Sequence, residues 1–137
     1  MTFDELMAAH KKATKTRKRP TDEEHHIQCA CVRWFSLQYP RYHGRLFAVP
    51  NGGRRDAIIA AKLKAEGVMA GVADLILLKS NRDYGALLIE MKTRKGRQRD
   101  SQKQWEKTVC ADNEYKYVVC RSVENFKCEV DNYLKDE

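Results

Sequence analysis

The chain has 137 residues and a formal net charge of +7, from 26 Lys and Arg against 19 Asp and Glu. That length suits one domain with a real core, and the positive balance points to an anionic partner, nucleic acid above all. No apolar run approaches about 18 residues and no signal-type apolar stretch opens the chain, so neither a membrane span nor export is expected.

Thr2-x-x-Glu5 has the form of a capping box, and Phe3, Leu6, Met7 and His10 suit one side of a short helix. Lys11, Lys12, Lys15, Arg17, Lys18 and Arg19 then form a basic run ended by Pro20. Such a run is either a solvated tail or an arm that follows phosphates. Residues 1–20 are therefore read as a basic arm, and residues 21–137 as a single domain.

From Thr21, residues Ile27, Ala30, Cys31, Trp34, Phe35 and Gln38 recur at helical spacing and predict an amphipathic helix ended by Tyr39-Pro40. Glu24 lies on the edge of that stripe. It is open to two readings: the second half of a Thr21-x-x-Glu24 capping box, or a third carboxylate aimed at the hairpin that follows. His25 and Cys29 are one turn apart, but no second pair completes a zinc site. The five cysteines, Cys29, Cys31, Cys110, Cys120 and Cys128, form no CxxC pair and fit reduced thiols in a reducing compartment.

Arg45–Val49 reads as a strand closed by Pro50-Asn51-Gly52-Gly53, with Arg54 and Arg55 placed to meet a phosphate. Ala57–Glu66 reads as a helix with Ile59 and Leu63 inward and Gly67 at its end. Small residues in Val68-Met69-Ala70-Gly71 allow close packing before Asp74. Two apolar runs, Asp74–Lys79 and Ala86–Lys92, flank the turn formers Ser80–Gly85 and predict a β-hairpin. A turn centred on Arg82 sets Asp74 opposite Glu90. The strand period of two puts Leu88, Glu90 and Lys92 on one face. Facing carboxylates repel unless they share a proton or a cation, and a divalent metal is the simplest cation to make the pair useful.

Arg94, Lys95, Arg97 and Arg99 follow Lys92 in one loop, where they would guide a phosphate backbone toward the acids. Ser101-x-x-Gln104 reads as the cap of a helix running through Trp105 and Val109, Tyr115–Cys120 as a strand, and Ser122 as the cap of a last helix. The order helix, strand, helix, hairpin, helix, strand, helix predicts an α/β fold around one small mixed sheet.

Asp74 with the triplet Glu90-Met91-Lys92 is a D…ExK arrangement that resembles the PD-(D/E)XK nuclease superfamily. Glu24-x-x-x-Gln28, Pro50-Asn51-Gly52, Gly67-x-x-x-Gly71-x-x-Asp74 and Gln102 sharpen it. Together they resemble a VRR-NUC domain, the virus-type replication–repair nuclease, in its standalone phage and bacterial form. Ala73 stands where the superfamily pattern has proline, a residue that shapes backbone and does no chemistry.

The resemblance implies a restriction-endonuclease-like core and a nuclease that depends on Mg²⁺, with Mn²⁺ substituting. It implies structure-selective cutting of branched DNA, including Holliday-junction resolution by a homodimer, in the cytoplasm of a phage or bacterial host cell. Asp74, Glu90 and the Met91 backbone carbonyl would hold the cation. Glu24 would bind through water or help a second ion, Lys92 would orient water and offset charge, and Gln102 would orient a ligand. Arm residues Lys15, Arg17, Lys18 and Arg19, loop residues Asn51, Gly52, Arg54 and Arg55, and Arg94, Lys95, Arg97 and Arg99 would meet DNA. The region of Trp34, Phe35 and Tyr39 is a candidate pairing surface. A basic binding module without catalysis explains the charge equally well, but not the acids, which repel phosphate.

Overall fold

A computed structural model describes residues 2–4, 20–50 and 56–135 of the chain. The arm residues Lys15, Arg17, Lys18 and Arg19, the loop residues Asn51, Gly52, Arg54 and Arg55, and most of the first expected helix lie outside the described residues.

The elements follow the expected order. They are α1 (Pro20–Gln38), a 3₁₀ turn (Pro40–Tyr42), β1 (Leu46–Ala48), α2 (Ala57–Ala65), β2 (Leu75–Leu77), β3 (Ala86–Met91), α3 (Asp100–Val109), β4 (Tyr115–Cys120) and α4 (Val123–Lys135). Strand order is β1-β2-β3-β4. The first three strands are antiparallel, and β4 runs parallel to β3. A parallel neighbour needs a long crossover, and α3 lies within it.

The β2–β3 connection forms because Asn81 caps it. Its side-chain oxygen accepts the N–H groups of Asp83 and Tyr84, and its amide donates to the Tyr133 carbonyl on α4. This turn sets the register Leu75↔Ile89, Ile76↔Leu88 and Leu77↔Leu87. Extended by one residue, the ladder puts Asp74 opposite Glu90, as the turn spacing predicts.

One sheet face carries Leu75, Leu77, Leu87, Ile89, Met91 and Cys120. They pack against Cys31 and Phe35 of α1 and Phe126, Val130, Tyr133 and Leu134 of α4. Ser122 caps α4 by accepting the Asn125 N–H. The other face carries Leu88, Glu90, Lys92, Tyr117 and Val119. There α3 approaches, with Trp105 against the Tyr117 ring at 6.2 Å. β3 is therefore buried on both faces along its whole length, which explains why its sequence is apolar apart from Glu90.

Three local expectations are corrected. The cap of α3 falls two residues early. The helix starts at Asp100, and Gln102, not Gln104, reaches back to accept the Arg99 N–H at 2.7 Å. Ile59 is not inward, because α2 buries none of its residues. Asp56 caps that helix through the Ile59 N–H, but Ile58 and Ile59 face outward while Leu63 is half-buried. Phe35 is in the core, with Trp34 and Tyr39 packed against it, so that region is spent within the chain.

Gly71 and Gly67 both hold positive φ, of 89° and 105°. A side chain at Gly67 would enter open space, whereas a Cβ at Gly71 would lie 2.2 Å from the Ser101 carbonyl oxygen. Gly71 thus lets the chain before Asp74 touch the first turn of α3. Gly67→Ala should cost about 1 kcal/mol, the left-handed strain alone. Gly71→Ala should cost well over 2 kcal/mol, because backbone must also move. Denaturant unfolding of the two variants checks the difference.

Candidate active site

The hairpin delivers two acids to one point. Glu90, from the end of β3, is only 1% exposed. Asp74, just before β2, accepts the Met91 N–H through Oδ2 at 2.7 Å. That bond turns the Asp74 carboxylate toward the β3 end, close enough to share a hydrogen bond with Glu90. Burial, then the hydrogen bond and charge of Asp74, push the Glu90 carboxyl up to about 9, against the opposing pull of Lys92 and Tyr117.

Lys92 is two residues beyond Glu90 on the same face. Its ammonium is 4.0 Å from Glu90 Oε1 and almost fully buried. Glu24 arrives from the start of α1. Its carboxylate accepts a hydrogen bond from the Thr93 backbone. Burial raises its pKa and nearby Asp74 adds to the rise, while Lys92 and Arg99 act against it. Gln102 is buried and donates from Nε2 to Glu90 Oε1 at 2.8 Å. The structure therefore brings Glu24, Asp74, Glu90, Lys92 and Gln102 together from four separate parts of the chain.

Four further residues at the site carry no motif. Tyr117 on β4 donates to Glu90 Oε2 at 3.2 Å. Gln98 bridges Tyr117 and Glu106. Arg121 donates to the backbone carbonyls of Thr93 and Gly96, clasping the loop after β3. Arg94, Lys95, Arg97 and Arg99 are exposed on that loop. The period-two rule would have found Tyr117 had the parallel register been known, since Leu88 pairs with Tyr117 and Glu90 with Val119.

Both oxygens of Glu90 face donors, and one Asp74 oxygen faces an N–H. With the Glu90 carboxyl raised to about 9, the pair holds a shared proton near neutral pH, and a cation would take the place of that proton. Among the described residues, no three His, Cys, Asp or Glu side chains form a ready-made metal cage. This donor set fits an oxygen-seeking divalent ion that keeps several waters and takes one or two carboxylates, as Mg²⁺ does.

A family model for the VRR-NUC domain matches residues 14–124. The chain belongs to the VRR-NUC family. A solved structure described as a VRR_NUC domain protein superposes with a TM-score of 0.70 at 25% identity, over 83% of this chain and 89% of that one. No curated protein matches the chain. The α/β fold is accordingly nuclease-like, and the VRR-NUC match marks a nuclease-type domain whose partner class is DNA.

Asp74→Asn should raise the stability of the chelator-treated VRR-NUC protein at pH above about 9, where both carboxyls would otherwise ionise and repel. Thermal melting in chelator checks this, and a lower melting temperature would show that the pair is not in conflict.

Proposed function

We propose that this VRR-NUC protein is a Mg²⁺-dependent nuclease that hydrolyses phosphodiester bonds in branched DNA, the four-way junction among them. The observation that carries the reading is the facing pair Asp74 and Glu90, with the Lys92 ammonium beside it in a buried setting. A salt-bridge cluster that served only stability would lie more naturally on a solvated face.

Asp74 and Glu90 would hold the cation with the Met91 backbone carbonyl, and Glu24 would act through water or toward a second ion. A divalent cation there supplies positive charge against the phosphoryl oxygens and makes water acidic enough to attack near neutral pH. The chain's own groups do the rest. Lys92 orients the attacking water and offsets charge on a non-bridging oxygen. Gln102 fixes the direction of Glu90. Arg94, Lys95, Arg97 and Arg99 meet neighbouring phosphates and bring the backbone to the acids. Free thiols at Cys29, Cys31, Cys110, Cys120 and Cys128 support a reducing setting such as the cytoplasm. No helix among the described residues is long and apolar enough to cross a membrane.

Two copies form the working unit in this proposal. The pairing surface moves from the Trp34 region to α2, which is apolar yet leaves Ile58 82% and Ile59 50% exposed. Asp56 caps its start, and Lys62 and Lys64 occupy its last turn. Antiparallel pairing across a two-fold axis sets the acid of one copy beside the lysines of the other, and gives a two-fold junction a two-fold protein.

Incubation with labelled junction, flap and duplex DNA should give cutting with Mg²⁺ and none with chelator. Glu90→Ala should keep DNA binding and lose cleavage by at least about 100-fold. A wild-type protein that binds but cuts nothing would leave the binding-module reading standing. Light scattering should give twice the 15.9 kDa chain mass, and Ile58→Glu should return it to one chain.

A further inference from the structure

The donor at each Glu90 oxygen is held in one direction by a second hydrogen bond. A glutamine amide can be turned over, and a phenol can donate or accept. Glu106 removes both freedoms. An ionised carboxylate only accepts, so Gln98 must turn its Nε2 toward Glu106 Oε1, at 2.9 Å. The same nitrogen is 3.0 Å from the Tyr117 oxygen. Tyr117 thereby accepts a hydrogen bond from Gln98 and donates its own O–H to Glu90 Oε2, at 3.2 Å. At the other oxygen, the Arg99 N–H occupies Gln102 Oε1 at 2.7 Å, which leaves Gln102 Nε2 to donate to Glu90 Oε1 at 2.8 Å.

We propose that Glu106, Gln98 and Tyr117 form a hydrogen-bond relay of fixed direction that ends on Glu90, making Tyr117 a positioning residue of the nuclease centre. This rests on the reading of Asp74 and Glu90 as cation ligands. Gln102 and Glu106 are one turn apart on α3, so a single helix addresses both oxygens of the acid, one directly and one through β4. The joints of the relay are the hydrogen bonds Gln98 to Glu106, Gln98 to Tyr117 and Tyr117 to Glu90. Gln98 also stands between Arg97 and Arg99, which ties the loop that meets phosphate to the acid that meets the cation. With both oxygens pinned, Glu90 cannot rotate away from Asp74, and its remaining lone pairs stay directed at the space between them.

Three variants test the relay by calorimetric titration with Mn²⁺ in the absence of DNA. Glu90→Ala should abolish binding. Tyr117→Phe keeps the ring against Trp105 and should weaken binding at least about 10-fold, the usual effect of removing a partner of a ligating carboxylate. Glu106→Gln touches neither Glu90 nor Asp74. It should weaken binding a few-fold, because a glutamine there no longer dictates which way Gln98 points. In cleavage assays, Tyr117→Phe should lower kcat and leave KM for DNA unchanged. Mn²⁺ binding by Tyr117→Phe or Glu106→Gln at wild-type strength, with Glu90→Ala inactive in binding, overturns the relay alone. Wild-type binding by Glu90→Ala overturns the cation site itself, and the relay with it. A Tyr117→Phe effect confined to KM would also refute the assignment.

Discussion

Everything at the site depends on the pairing register of β2 with β3. A strand slipped by one residue turns every side chain to the opposite face. In this hairpin such a slip would bury Asp74 among the leucines or move Glu90 away from it. The register is held from both ends. Asn81 fixes the turn and ties it to α4, while the Met91 N–H fixes Asp74 at the open end. The apolar residues between enforce the same choice, because Leu75, Leu77, Leu87 and Ile89 fill one core. A costly arrangement, two acids facing each other, is thus sustained by an inexpensive one, a well-packed hairpin.

Much of this was legible in the chain. The element order, the hairpin and its register follow from apolar periodicity and turn chemistry, both of which act over short distances. Asp74, Glu90 and Lys92 could be placed together because they share one hairpin. The motif marked Glu24, but its contact with the Thr93 backbone depends on how α1 crosses the sheet, and no local pattern encodes that crossing. Tyr117, Gln98, Glu106 and Arg121 carry no sequence signal for the same reason. Each acts across a gap closed only by tertiary structure, and tyrosine in a strand or glutamine in a loop is ordinary. The shifted cap of α3 shows how close competitors mislead: Ser101-x-x-Gln104 has the right spacing, yet Gln102 takes the role because it also reaches Glu90. Ile59 marks the opposite case, an apolar residue at a core-like spacing on a helix that no other element among the described residues buries.

The glycines divide by purpose. Gly67 meets a demand of backbone conformation alone, since nothing lies near it. Gly71 meets a demand of space, because the Ser101 backbone occupies the volume a side chain would need. The second demand matters more to function. It draws the segment before Asp74 against the helix that bears Gln102 and Glu106, so Asp74 and the residues that support Glu90 are packed together.

Arg121 carries a different implication. Its guanidinium gathers carbonyls of Thr93 and Gly96, and so freezes the arch from which four cationic side chains project. A loop already frozen in the free protein gives up little disorder when a polyanion arrives. Encounter would then be governed by long-range attraction rather than by a slow folding step. The same stiffness forbids the arch from moulding itself to every strand it meets, so discrimination would come from the contour of the nucleic acid and not from its bases.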